Sequence, residues 1–239
     1  ASKQVAGQKS DFMRLGVLGD WDNPYLTMDF TFEANIIRSL GKIVDNGHLQ
    51  QGFKPVHWCL DCGSALAEAE VEYEDKISPA IDVAFPVVDV ADFVARSGIE
   101  ASAPALVIWT TTPWTLPANR AVAVHPELDY VLLSGELSGV ARELLVAEAL
   151  ADDLVTRWGL ENVTRSAAVA GSKLEMLALQ HPFLEAQVPV VFGEHVTTDA
   201  GTGLVHTAPG HGVDDFMVGK QYDLDPISPV SYTHLRAHE

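Results

Sequence analysis

The sequence holds little cysteine: Cys59 and Cys62 are the two present in 239 residues. Two thiols that close together cannot make the disulfide framework of a small secreted domain, so a reducing, cytoplasmic compartment is expected. Basic residues are also scarce, 15 Lys and Arg against 33 Asp and Glu, for a formal net charge of -18. General nucleic-acid binding needs clustered cations that displace counterions, so the composition argues against that class. Arg120, Lys173 and Lys220 are isolated basic positions that read first as solvated surface charge. No apolar run approaches the roughly 20 residues that span a bilayer, which excludes a membrane helix. The opening ASKQVAGQKSDFMRLG lacks the apolar stretch of a signal peptide and an initiator Met, so a fragment is expected. No internal repeat is visible.

What is present is enough apolar material, 47% of residues, for one large core or two smaller ones. Residues 1–65 read as α-rich. Phe32, Ile36, Ile37, Leu40, Ile43 and Val44 share one helical face, with Asp29 or Thr31 to cap its start and Gly47 to stop it. From 66 to 225 the pattern turns β-rich, with strands expected at Ile81–Phe85, Ala105–Thr111, Arg120–Val124, Tyr130–Leu133 and Val188–Phe192. One helix is expected over Ala141–Trp158, stopped by Gly159. The fold class is therefore mixed α/β: a β-barrel-like domain with flanking helices. Residues 226–239 continue no pattern and read as a non-native tail, so His234 and His238 are not taken as ligands.

Two segments carry the chemistry. In Trp109-Thr110-Thr111-Thr112-Pro113-Trp114-Thr115-Leu116-Pro117-Ala118-Asn119-Arg120, hydroxyls crowd around two prolines directly after an apolar strand. Such a turn makes a stiff polar wall whose hydroxyls both donate and accept. The plainer alternative is a β-edge followed by a proline-rich turn. The second segment, Gly201-Thr202-Gly203-Leu204-Val205-His206-Thr207-Ala208-Pro209-Gly210-His211-Gly212-Val213-Asp214-Asp215, joins flexible glycines to two histidines and two aspartates. Asp214 and Asp215 also suit a helix start, with Asp214 the better cap.

Together the two segments closely resemble the editing domain of the bacterial-type isoleucyl-tRNA synthetases, which are class I enzymes. The resemblance runs from about Gly16 to Asp225. It implies a partial Rossmann-type catalytic-domain segment over 1–65 and an editing domain over 66–225. The ATP-binding signatures of the family are not in this sequence, so ATP and Mg belong to the full-length enzyme and no amino-acid activation is expected here. The implied reaction is hydrolysis of valyl-tRNA formed on the isoleucine-accepting tRNA, and of valyl-adenylate, by a monomer that meets the tRNA acceptor end. The valyl and leucyl editing domains are a weaker match, because they carry Thr-Arg-Pro in place of Thr-Thr-Thr-Pro-Trp. A tRNA-docking module without hydrolysis, or a zinc-dependent structural insert, are the other readings.

By this resemblance Asp215 grips the substrate α-ammonium. His206 lines the pocket, rejects the longer side chain and positions water, with a general base near neutral pH as its alternative role. Thr111 and Thr112 contact the ester, the terminal ribose or the attacking water. Thr110 and Thr115 complete that wall, Asn119 holds the substrate or adenosine end, Trp114 packs on adenine or the side chain unless it is a plain core tryptophan, and His211 is a further substrate-binding candidate whose alternative is loop support. No activated serine or cysteine nucleophile stands out, which favours direct attack by water. Editing needs no cofactor. Cys59-Leu60-Asp61-Cys62-Gly63 is half of a zinc knuckle, and a closed site needs four ligands; His57 and His48 are the nearest additional donors.

Overall fold

The computed structural model describes residues 1–59, 61–75 and 77–228; most of the expected tail, with His234 and His238, lies outside the described residues. The chain divides into two compact units, Ala1–Gly52 and Phe53–Glu239.

The first unit holds helices α1 (Ser2–Arg14) and α2 (Phe30–Asp45). Asp29 caps α2 by accepting from the Thr31 amide at 2.8 Å, as its side-chain type favours. The helix ends where Gly47 takes a positive φ of 73°. The expected apolar face is present, yet none of its residues is buried in this chain. No strand occurs in this unit among the described residues.

The second unit begins with a small hairpin, β1 (Trp58–Cys59) and β2 (Ser64–Ala65), and continues through β3 (Ile81–Pro86), α3 (Val90–Ser97) and β4 (Pro104–Thr110). A 3-10 helix, Pro113–Ala118, leads to β5 (Ala121–Val124), β6 (Asp129–Leu137), β7 (Val140–Ala147) and α4 (Ala151–Trp158). Then follow β8 (Glu161–Arg165), β9 (Val169–Ala170), β10 (Ala178–Gln180), β11 (Gln187–Phe192), β12 (Val205–Thr207) and α5 (Val213–Gln221). The five strands expected from sequence all form, with ends shifted by a few residues.

The strands make two larger sheets. One runs β3-β4-β7-β6-β8, with β9 also on β6; the other runs β10-β11-β5-β12. Their apolar faces meet in one core that takes Leu106 and Ile108 from β4, Leu145 from β7, Val122 and Val124 from β5, and Val190 from β11. Helix α4 covers the outer face of the larger sheet through Ala151 and Leu154, packed with Val131, Leu133 and Val146. Helix α5 covers part of the smaller sheet through Val218, packed with Ala121, Ala123 and Val191. The expected barrel does not close. The sheets stay open, because β3 and β8 remain the two edges of one and β10 and β12 the two edges of the other.

The helix expected over Ala141–Trp158 is a strand in its first half. Residues 140–147 lie between β4 and β6 and pair with both. A strand with a neighbour on each side and a packed layer on each face is apolar at consecutive positions. Leu145 points into the inter-sheet core while Leu144 faces the α4 layer. The run Leu144-Leu145-Val146-Ala147 thus lacks the alternation that marks a half-exposed strand, and its periodicity does not separate strand from buried helix.

Candidate functional site

The two chemistry-bearing segments meet at β5. Strand β4 is buried except for the half-buried Trp109, then the chain leaves the sheet at Thr111 and enters the 3-10 helix at Pro113. Proline at the first helical position costs no hydrogen bond there. The helix delivers Asn119 to the start of β5, and β12 pairs antiparallel with β5 so that His206 lies opposite Val122.

Side-chain hydrogen bonds tie these parts together. Thr112 Oγ1 lies 3.3 Å from Thr110 Oγ1 and 3.5 Å from Thr115 Oγ1. Thr115 Oγ1 donates to the Thr112 carbonyl at 2.8 Å and lies 2.8 Å from His206 Nε2. Asn119 Nδ2 donates to the Ala121 carbonyl at 2.8 Å and lies 3.3 Å from His206 Nδ1. The Ala121 bond fixes which end of the amide is nitrogen, so His206 Nδ1 faces a donor and must accept. The imidazole proton is then on Nε2 and is donated to Thr115 Oγ1, whose own proton goes to Thr112. Donation therefore runs one way, from Asn119 through His206 and Thr115 to the Thr112 backbone.

That polarity demands a neutral ring. Burial, and then the nearby His211 and His181, push the His206 pKa down from 6.5 to about 4. With both nitrogens engaged, His206 has no lone pair with which to take a proton from water. Its geometry suits a pocket wall and not a general base. Thr110, Thr115, Asn119 and His206 are buried, whereas Thr111 and Thr112 are exposed. The Thr111 side chain makes no hydrogen bond among the described residues, and the residue is exposed. Asn119 Oδ1 is buried and also lacks a partner, which leaves an acceptor inside the wall.

Asp215 lies in the first turn of α5. Its Oδ2 accepts from the Ala208 amide at 3.0 Å, which ties α5 back to the end of β12. Burial raises its pKa above the usual carboxylate range, against the lowering effect of that amide and of the His195 charge. Asp214 does not cap the helix: Gly212 occupies the N-cap position with no side-chain bond, and Asp214 is exposed. The helix begins two residues earlier than an Asp214 cap requires, and the Asp215 bond to Ala208 lies within its first turn. Trp114 meets His211 edge to face, with ring centroids 5.7 Å apart, which joins the 3-10 helix to the Pro209–Gly212 loop. Burial lowers the His211 pKa. The carbonyl of Ile227 and the hydroxyl of Ser228 lie against Gly210 in the same loop.

Two supports escaped the sequence reading. The Tyr130 hydroxyl accepts from the His125 amide and donates to the Gly203 carbonyl, each at 3.0 Å, and burial pushes its pKa up to about 12. Gly203 has φ of 77°, and a Cβ there would lie 2.2 Å from that of Ala147. The turn into β12 is thus held from β6 and β7, strands remote in sequence. His181 is the second support, donating from Nε2 to the Leu116 carbonyl at 3.0 Å. Neither had a local signal, because each acts by a contact between distant segments.

The cysteine pair sits on the β1–β2 hairpin, where the Cys62 amide donates to Cys59 Sγ at 3.3 Å. Among the described residues no cluster of three or more His, Cys, Asp or Glu side chains could hold a metal. The pair supplies two ligands, so these residues do not assemble the four donors of a closed zinc site. A groove of about 1070 Å³ crosses the outer face of the larger sheet, lined by Ala84, Pro86, Arg142, Leu144 and Trp158, and none of the expected site residues lines it. Among the described residues no helix is long and apolar enough to cross a membrane.

Comparison with known proteins shows the family and the fold. The model of the family described as tRNA synthetases class I (I, L, M and V) matches residues 1–222. The chain is 60% identical over 232 residues to the isoleucine–tRNA ligase of Shewanella putrefaciens, covering 96% of this chain and 25% of that protein. It is 58% identical over the same length to that of Shewanella oneidensis, again covering 96% and 25%. The chain thus spans about a quarter of the length of these relatives. Among solved structures, the P. knowlesi cytosolic leucyl-tRNA synthetase editing domain superposes with a TM-score of 0.52 at 11% identity, covering 64% of this chain and 68% of that one. The P. falciparum counterpart gives 0.51 at 12% identity, covering 60% and 66%. At such identity the likeness speaks for the fold alone.

Proposed function

The chain belongs to the class I tRNA synthetases, and from that premise we propose that it is the editing part of an isoleucine-specific enzyme, hydrolysing valine wrongly esterified to the isoleucine-accepting tRNA. Valine lacks one methylene of isoleucine, and a single hydrophobic pocket separates the two weakly, a limit that this family itself is commonly used to illustrate. A second site that admits valine and excludes isoleucine by size answers that limit.

The observation that carries the reading is the donor chain from Asn119 through His206 to Thr115, set behind the exposed hydroxyls of Thr111 and Thr112. In this reading those two hydroxyls bind the ester carbonyl, the terminal ribose and the attacking water. Asp215 keeps one carboxylate oxygen on the Ala208 amide and offers the other to the α-ammonium, a charge-assisted bond that selects for a free amino group. His206, immobilised at both nitrogens, forms the wall against the extra methylene. Trp114 packs on the adenine or the side chain, with its ring set at a right angle to that of His211. Water attacks directly, oriented by fixed dipoles and not activated by a side-chain base. The partners are the tRNA acceptor end and the mischarged valine, the compartment is the cytoplasm, and the chain acts as a monomer without a metal in the hydrolytic step.

Single-turnover deacylation tests this directly, with valyl- and isoleucyl-tRNA prepared on the isoleucine-accepting tRNA. Loss of valine with isoleucine retained is expected. If the folded chain binds both and cleaves neither, it is a docking module and the hydrolytic reading fails.

A further inference from the structure

His181 occupies the turn between β10 and β11, 2% exposed. Its Nδ1 accepts from the amides of Leu184 at 3.1 Å and Phe183 at 3.4 Å, so the ring proton is on Nε2. That proton points at the Leu116 carbonyl, 3.0 Å away and 65 residues distant in sequence. The same carbonyl accepts the Asn119 amide at 3.0 Å. Leu116 lies in the 3-10 helix between Thr115 and Asn119, the two residues that hold His206 from either side. The helix includes Pro117 in its interior, which brings no backbone N–H, so its own hydrogen bonding is reduced. The turn that carries His181 is itself braced: the Gln180 side-chain amide donates to the carbonyls of Leu184 at 3.0 Å and Ala186 at 3.1 Å. The His181 ring is wedged edge-on against Phe183 and Phe85, with centroids 4.6 and 5.8 Å away.

We infer that His181 is a positioning residue of the site: by holding the Leu116 carbonyl from a braced turn of the smaller sheet, it sets Asn119 and Thr115 and so the orientation of His206. This rests on the editing assignment of the network above. A residue that only filled the core between Phe85 and Phe183 would be replaceable by any ring of similar size. A tie to Leu116 demands a donor at the Nε2 position and nowhere else.

Three variants of the whole chain separate these roles. H181F keeps the ring and both aromatic neighbours but loses both polar ties. H181N keeps an acceptor near Nδ1 for Leu184 and does not reach Leu116. H181Q places an amide donor near Nε2. The first readout is the saturating rate and KM for valyl-tRNA on the isoleucine-accepting tRNA. The second is the ¹⁵N side-chain spectrum of His206, which reports its tautomer without any turnover. With folding checked by circular dichroism, H181F and H181N should lose roughly 10- to 100-fold in rate, with KM within about twofold. H181Q should recover most of the rate. The His206 spectrum should show Nε2–H alone in the parent and in H181Q, and mixed tautomers in H181N. Parent-like rates and spectra in folded H181N would overturn the inference, even where H181F does not fold. If the parent cleaves no valyl-tRNA, the editing assignment fails, and the spectra alone still decide whether His181 sets His206.

Discussion

One oxygen of Asp215 is engaged by the Ala208 amide, and this makes the residue separable by substitution. D215N keeps an acceptor for Ala208 and removes the charge offered to the α-ammonium. A charge-assisted bond contributes about 1.5–3 kcal/mol, so deacylation should fall roughly 10- to 100-fold while the melting temperature stays near the parent value. Single-turnover rates and a thermal scan check both halves. Because burial raises the Asp215 pKa, the acid limb of kcat/KM should lie above the usual carboxylate range, and the limb should vanish in D215N.

His206 is shifted in the opposite direction. Its pKa is about 4 in the fold against 6.5 ordinarily, so between those values the unfolded chain binds more protons than the folded one. Stability therefore rises with pH across that window, is fully present above 6.5, and is lost as pH falls toward 4. The full difference amounts to about 3 kcal/mol at one pKa unit per 1.36 kcal/mol. Urea unfolding of the parent and of H206Q across this range should differ in slope by close to one proton. Parallel curves would mean that His206 stays accessible to protons in the fold. The shift of Asp215 runs the other way and is common to both curves, so it drops out of the difference.

At the scale of elements, the turn into β12 is the most constrained point of the site. G203A would place a methyl against Ala147 and impose φ of 77° on an L-residue. Either change costs of order 1–3 kcal/mol, and together they should move the denaturation midpoint far down or prevent folding. Strand β7 offers a second test. L145A opens the inter-sheet core, and a buried leucine truncation costs about 2–5 kcal/mol. Were 141–147 helical, the amides on its two edges would not be shared with β4 and β6. Slow hydrogen exchange along 144–147 is expected, matching the slowest amides of β6.

At the scale of the whole molecule, the division after Gly52 is the feature to probe. The second unit holds both sheets, all three buried clusters and every expected hydrolytic residue. A chain of residues 53–228 should fold cooperatively and keep the deacylation rate of the parent within about twofold, since rate follows the local geometry of the site. Loss of activity with the fold intact would show that 1–52 takes part in binding. The net charge of -18 bears on the same scale. So acidic a chain repels RNA at long range, so the proposed editing requires an acceptor end that reaches the site and not general attraction. Adding salt should therefore weaken tRNA binding far less than it does for a basic RNA-binding domain.

Residue types and short spacings determined much of this protein by themselves. The five strands, the capped helix α2 with its glycine stop, and the two motif segments all follow from local chemistry, because caps, turns and apolar runs act within a few positions. Family membership was likewise legible, because the threonine-proline and glycine-histidine-aspartate segments are specific as a pair. Only the tertiary structure decided the rest. Whether 141–147 is strand or helix depended on neighbours on both sides of it, and whether the sheets close depended on which edges meet. The tautomer of His206, its depressed pKa and its ties through Asn119 and Thr115 arise from burial against segments remote in sequence. Tyr130 and His181 act the same way. Burial and long-range hydrogen bonds are properties of the assembled chain, and no local pattern encodes them.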